Sequence, residues 1–359
     1  MTTLNQESIF VGVDVHKYGH TAVALDSFGQ EKGKLNFTND TLGAYTNWLL
    51  SFGVKDNIIV GLEDVNSYGI HLVEALRKEF FHIRYVPAIL TERERMQSTK
   101  RHKSDSVDAK RVGKVILTKY EETLPARESI ASEKELRIAQ GLDLLLMERR
   151  DLVKEKTALK NQLHALLHQY YGDHYADAFT KPFHQDAIDF YLEDLESAQE
   201  KQILATSIVR RLKRLVLLED HITMISGELA VIGKESKEVV SLHNNIHGCG
   251  MVTACSIMAE LTTIKRFKSK DNLSMYAGVA PTEHSSGRRN KLHTNPFGNR
   301  RLNRALHTIA LSQIACKGDP QGKKYYQKKL KEGKTKLWAL RCLKHQIAKK
   351  VFQTLTYVR

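Results

Sequence analysis

Long apolar runs, paired cysteines and glycine-rich phosphate loops are all missing from this chain of 359 residues. A membrane-spanning helix needs about twenty consecutive apolar residues. The sequence has no such run and its mean hydropathy is −0.39, so no membrane span is expected. The opening MTTLNQESIF lacks the basic-then-apolar order of a secretion signal, and the expectation is a soluble, cytoplasmic protein. Cys249, Cys255, Cys316 and Cys342 show no C-x-x-C spacing. Neither a zinc site nor a disulfide framework is therefore indicated, and they read as reduced thiols.

Acidic residues are scarce in one place only. Residues 241–359 hold 23 Lys and Arg against 5 Asp and Glu, a net +18, while residues 1–240 come to −4. The formal charge of the whole chain is +14, so the basic character belongs to the last third. An imbalance of that size favours a polyanion, nucleic acid first, over a merely solvated face. With 42% hydrophobic residues in 40.9 kDa, the chain is long enough for two or three domains.

Along the first 120 residues, strand-like and helix-like segments alternate, which predicts an α/β domain around a central sheet. SIFVGVDVH, HTAVALD and KGKLNFTN read as an antiparallel meander. A helix over 41–51, the apolar strand NIIVGLE, a helix over 68–79, the strand FHIRYVP and a helix over 104–120 follow, giving βββαβαβα. Pro125 and the polar stretch 121–133 read as a linker. Beyond it Leu145, Leu152, Leu159 and Leu166 recur every seven residues, with Arg149 and Lys156 in the complementary seam. Ile208, Leu212, Leu215, Leu218, Ile222, Ile225, Leu229 and Ile232 form a stronger stripe. Two such helices either fold back as a hairpin or pair with another subunit. HNNIHGCGMVTACSIMAEL reads as two helical segments around a Gly-rich turn. The expected organisation is 1–125, α/β; 126–240, long helices with coiled-coil character; 241–359, mainly helical and basic.

Within FVGVDVHK, alternation puts Val11, Val13 and Val15 on one sheet face and Gly12, Asp14 and His16 on the other. A lone carboxylate in such a run must be paired or metal-bound. Glu63 ends the strand NIIVGLE. Asp105 and Asp108, three apart behind the capping residue Ser104, share a face at a helix N-terminus. Four acids so distributed suit two divalent cations about 4 Å apart, which neutralise the carboxylates and activate oxygen nucleophiles.

FVGVDVHK, GLEDVNSYG and RHKSDSVDAKRVG together resemble the RuvC-like DEDD domain of IS110-family transposases. IHGCGMVTA, YAGVAPTEHSSGRRNKL and FGNRRLNRAL resemble the C-terminal transposase domain of the same family, in the same order. The resemblance implies an RNase H-like fold in which Asp14, Glu63, Asp105 and Asp108 bind Mg²⁺. It further implies a serine nucleophile followed by glycine and five residues after a proline. Pro281 and Ser286-Gly287 meet both conditions, with Ser285 an adjacent competitor. It also implies an element-encoded non-coding guide RNA, donor and target double-stranded DNA as partners, and a homo-oligomer from dimer to tetramer. One departure stands out: Asn295-Pro296-Phe297 precede Gly298-Asn299, where the family usually carries a basic residue.

The expected function is Mg²⁺-dependent DNA cleavage and rejoining through a phosphoserine ester, which conserves bond energy for resealing. Arg288, Arg289, Arg300 and Arg301 lie close in sequence to the serine, and Lys323 and Lys324 flank Tyr325 and Tyr326. All six basic residues are candidates for phosphate contact. The nearest rival is a junction-resolvase-like nuclease using the same acids with water as nucleophile. The FVGVDVH opening also begins actin-like ATPases and sugar kinases, which the missing phosphate loops oppose.

Overall fold

The computed structural model describes residues 6–63, 68–97, 104–173, 175, 177, 179, 181–197, 203–286, 289–294, 298–315 and 318–358; over 282–286 and 289–294 only the backbone is described. The chain divides into two compact units, residues 1–137 with 261–359, and residues 138–260.

The first unit opens with β1 (Ile9–Val15), β2 (His20–Leu25), β3 (Glu31–Phe37), α1 (Leu42–Leu50), β4 (Ile58–Leu62), α2 (Ile70–Lys78) and β5 (His82–Tyr85). α3 (Ala88–Gln97), α4 (Asp105–Thr118), β6 (Leu124–Pro125) and α5 (Arg127–Ile130) follow. The strands form one mixed sheet in the order β3-β2-β1-β4-β5-β6. β1, β4 and β5 run parallel and the meander β1-β2-β3 is antiparallel.

Period-two alternation sorts the side chains as expected. Val11, Val13, Ala22 and Ala24 face Tyr45 and Leu49 of α1 and Leu72, Val73 and Leu76 of α2. Phe10, Val23, Leu25 and Ile59 face Leu90 of α3 and Ala109, Val112 and Ile116 of α4. Gly12 lies on this second face. A Cβ there would stand 2.0 Å from the Ala109 carbonyl oxygen and 2.2 Å from the Gly113 nitrogen, so helix backbone rests directly on strand backbone. Asp14, two residues on, is thereby presented to the N-terminal turn of α4.

Residues 121–133 are not the linker that their polarity suggests. β6 closes the sheet edge through Arg84↔Pro125 and Tyr85↔Leu124, Ala126 is fully buried and Glu128 is buried beside Arg127. The cause is Arg84. Its buried guanidinium donates to the Thr123 hydroxyl at 3.0 Å and to the carbonyls of Tyr120 at 2.8 Å and Thr123 at 2.5 Å, and it lies over the Tyr120 ring. Pro125 is tolerated because an edge strand does not need its missing N–H.

In the second unit α6 (Glu133–Tyr171, entering from the first), α7 (Gln185–Ser197) and α8 (Ile203–Lys234) share one core. Leu159, Leu163 and Leu167 of α6 meet Ile208, Leu212 and Leu215 of α8, with Tyr191 and Leu195 of α7 between them. α6 and α8 pair antiparallel within the chain. The polar seam has partners there: Arg149 donates to Ser226 at 2.9 Å, and Lys156 and Lys160 both reach Glu219, at 3.4 and 3.1 Å. α9 (Lys237–Asn245) and α10 (Met251–Leu261) flank the Gly-rich turn, where Gly248 takes φ +82°. The first unit then resumes with α11 (Lys270–Tyr276), a hairpin of β7 (Pro281–Ser286) and β8 (Arg289–Thr294), α12 (Arg300–Ile314), α13 (Pro320–Lys331) and α14 (Lys336–Tyr357). Arg266 binds this part to the sheet edge by donating to the Pro125 carbonyl at 3.1 Å. Among the described residues no helix is long and apolar enough to cross a membrane.

Gly12→Ala is expected to destabilise the α/β portion by about 1–3 kcal/mol, since two backbones must separate. Gly43→Ala is the control: nothing lies within 4 Å of its added Cβ on α1, and a gain of about 0.5–1 kcal/mol is expected. Urea unfolding followed by circular dichroism measures both. Equal midpoints would show that α4 does not rest on Gly12.

Candidate active site

β1 delivers Asp14, the end of β4 delivers Glu63, and the first turn of α4 delivers Asp105 and Asp108. Ser104 caps that helix, its hydroxyl accepting from the Val107 N–H, which fixes the rotation of the turn carrying both aspartates. The Asp14 side chain is 22% exposed. Its carboxyl is held above the usual range, chiefly by burial, and the charges of Asp108 and Asp105 push the same way; His16 opposes them. Glu63 is also raised, again chiefly by burial with Asp14, Asp108 and Glu92 adding, against a hydrogen bond from Thr91. Glu63 as a residue is open to solvent, yet protein crowds its carboxyl. Asp14 thus feels Asp105 and Asp108, and Glu63 feels Asp14 and Asp108, so carboxylates from distant segments converge.

Three neighbours hold the acids, and sequence reasoning assigned a site role to none of them. His16 Nε2 sits 3.0 Å from Asp14 Oδ2 and 3.5 Å from Asp105 Oδ1, bridging strand and helix. The buried Thr91 hydroxyl of α3 donates to Glu63. Arg111, its side chain 7% exposed, lies 2.5 Å from Asp108 and partly neutralises it. His16 was legible in principle, being two residues beyond Asp14 on the same strand face, and Arg111 stands three residues beyond Asp108. Thr91 carries no sequence signal.

One ligand atom each from Asp14, His16 and Asp105 lie within 4.8 Å of one another. Two carboxylate oxygens and one imidazole, with no thiolate, are a donor set compatible with a divalent cation. Asp14 and Glu63, raised chiefly by burial and further by the neighbouring acids, are the carboxyls whose charge such a cation would stabilise.

Ser286 ends β7, paired with Arg289 of β8, and Ser285 pairs with Asn290. Gly287, Arg288 and residues 295–297 lie outside the described residues. Arg300 and Arg301 are exposed at the start of α12, whose cap is Asn299. On α13 Lys323 is half-buried and Lys324 exposed. A cavity of about 600 Å³ is lined by Ile89, Leu90 and Arg93 of α3, by Tyr85, and by Tyr276, Gly298 and Asn299 at the base of the hairpin. The helix that holds Glu63 and the root of the serine hairpin thus border one space.

Glu63→Gln keeps the acceptor for Thr91 and removes the charge. A raised folded-state pKa contributes stability below the ordinary carboxylate value, and that stability is lost as pH rises through the folded value. Without metal, Glu63→Gln is therefore expected to unfold at higher urea than the natural protein at pH 7, the gap closing towards pH 4. Added Mg²⁺ should raise the midpoint of the natural protein more than that of the variant. A variant less stable at pH 7 would mean that neither burial nor the neighbouring acids penalise the Glu63 charge.

A transposase family model, DEDD_Tnp_IS110, matches residues 11–172, and a second, described as transposase IS116/IS110/IS902 family, matches residues 241–327. A 43.6 kDa protein of insertion element IS110 from Streptomyces coelicolor is 23% identical over 97% of this chain and 94% of its own length. The transposase for insertion sequence element IS1111A from Coxiella burnetii is 28% identical over 45% of each chain. With both matches in order along the chain, and the first spanning the segments that supply Asp14, Glu63, Asp105 and Asp108, the chain belongs to the IS110 family of transposases.

Proposed function

We propose that this transposase is a Mg²⁺-dependent DNA recombinase that cuts and rejoins strands through a serine ester. The observation that carries the reading is the convergence of Asp14, Glu63, Asp105 and Asp108 from two strands and one helix. The sheet order β3-β2-β1-β4-β5 with helices on both faces supports an RNase H-like domain. Bound at the acids, Mg²⁺ would offset their charge and stabilise the oxygens of a phosphodiester.

In this reading the Ser286 hydroxyl attacks phosphorus. A serine Oγ–P ester forms as the bond from phosphorus to the leaving sugar oxygen breaks. The serine proton passes to the acid site, and the leaving oxygen gains one. Resealing is the reverse, so no external energy source is needed. Arg289, Arg300 and Arg301, with Arg288, would hold phosphates near the hairpin, and Lys323 and Lys324 would extend that grip. Donor and target DNA are the substrates, and an element-encoded guide RNA selects them, read through shape and backbone. Leu217, Met224 and Val231 stand exposed at intervals of seven on α8. We assign that stripe to pairing between subunits in a dimer or tetramer.

Denaturing gels of protein with labelled DNA test the nucleophile. Ser286→Ala is expected to lower the covalent adduct at least about a thousandfold, and Ser285→Ala to leave it within about tenfold. Cleavage by Ser286→Ala at the natural rate with no adduct would instead establish a nuclease that activates water. For the stripe, Leu217→Glu with Met224→Glu is expected to halve the mass or more by light scattering while helicity is kept; an unchanged mass would remove α8 from the interface.

A further inference from the structure

The chain leaves the α11 end at Gly278, runs through the β7–β8 hairpin and returns at Gly298. These two glycines touch: a Cβ on Gly298 would lie 2.2 Å from Gly278 Cα, and Gly278 takes φ +65°. The hairpin therefore has two feet at one place, and polar contacts concentrate there. On the returning foot the Asn299 N–H donates to the Tyr276 carbonyl at 2.7 Å, its Nδ2 donates to the Tyr276 hydroxyl at 3.0 Å, and its Oδ1 accepts from Leu302 N–H at 2.8 Å. On the departing foot Asn303 Nδ2 donates to the carbonyls of Ala277 at 2.8 Å and Gly278 at 3.3 Å. Behind it Lys344 Nζ of α14 donates to Asn303 Oδ1 at 2.8 Å.

Lys344 is 9% exposed, and among the described residues no carboxylate pairs with it. Burial depresses its ammonium below the ordinary range, and the charge of Arg341 adds to this. An uncompensated buried cation is costly, and a packed apolar residue of similar size would usually serve stability as well or better. Its ammonium does something an apolar residue cannot. By loading Asn303 Oδ1 it polarises the amide and strengthens the Nδ2–H bonds to the Ala277 and Gly278 carbonyls.

We propose that Asn299, Asn303 and Lys344 form a polar clamp that fixes both feet of the β7–β8 hairpin and so act as positioning residues for the serine at its tip. The positioning role rests on the serine-ester reading above; the clamp itself does not. None of the three need touch DNA. A hairpin held only by its own ladder swings about its feet, and small displacements of a nucleophile cost large factors in rate. The clamp removes that freedom before substrate arrives.

Two variants of the full chain separate positioning from support. Lys344→Met removes the charge and keeps the packing. Asn303→Asp gives Lys344 an ion-pair partner but deletes the donor to Ala277 and Gly278. Both are expected to keep the thermal midpoint within about 3 °C, since neither leaves a cavity or an unpaired buried charge. Both should speed amide exchange in 281–286 and 289–294 about tenfold, leaving α12 and α14 protected. In adduct formation, kcat should fall about tenfold or more with KM for DNA unchanged. Unaltered exchange in the hairpin would overturn the clamp. Loss of protection across α11 to α14 with a lowered midpoint would make the three residues merely structural. If exchange rises as expected but the natural protein forms no adduct, the serine reading falls and the clamp stands.

Discussion

The backbone-to-backbone contact of β1 with α4 is the constraint on which the acid-bearing part of the molecule depends. Burial makes Asp14 and Glu63 costly to ionise, and the carboxylates drawn together beside them add to that cost. No interaction among the acids could assemble them unaided. Gly12 lets α4 approach until Ala109 and Gly113 rest on the strand, and the apolar layer of Phe10, Val23, Leu25, Val112 and Ile116 holds the approach. Electrostatic strain at one end of the strand is thus offset by packing along its length. His16 and Arg111 reduce the residue of that strain, one by bridging Asp14 to Asp105 and the other by pairing with Asp108.

Much of this was legible in the sequence, for a definite reason. Alternation along FVGVDVHK assigns Asp14 to a face by counting, and the three-residue step from Asp105 to Asp108 is a property of any helix, so neither inference needs tertiary information. The failures involve contacts that only folding creates. Polarity marks 121–133 as a linker, yet Arg84, an ordinary strand residue by sequence, gathers that segment into the sheet edge. Periodicity left open whether the long helices pair with each other or with a second chain. The ion pairs of Lys156 and Lys160 with Glu219 accompany pairing within one chain, and the residues that looked like flaws in the seam are its partners. Thr91 was invisible because nothing local ties it to Glu63, twenty-eight residues earlier.

Gly298-Asn299 stands out in the sequence only because no basic residue precedes it. The structure gives the pair a mechanical meaning. Glycine is needed because Gly278 occupies the space of a Cβ, and asparagine because one side chain must cap α12 while its amide hydrogen-bonds to Tyr276.

The uneven charge of the chain acquires its sense from the way the ends associate. A transposase must bring a polyanion up to a cluster of carboxylates, which alone would repel it. Residues 1–240 are net acidic and 241–359 strongly basic, and the greater part of that basic stretch, 261–359, shares one compact unit with the acid-bearing 1–137. Arg266 at the Pro125 carbonyl and Lys268 at Glu121 join the two parts directly. Attraction to the phosphate backbone is long-ranged and weakly directional, so a basic segment covalently remote but folded alongside the acids can supply it, while the acids keep the short-range task of metal binding that we propose for them. Had the same lysines and arginines been interleaved with the acids in sequence, ion pairing would have consumed the carboxylates that the proposed site needs free.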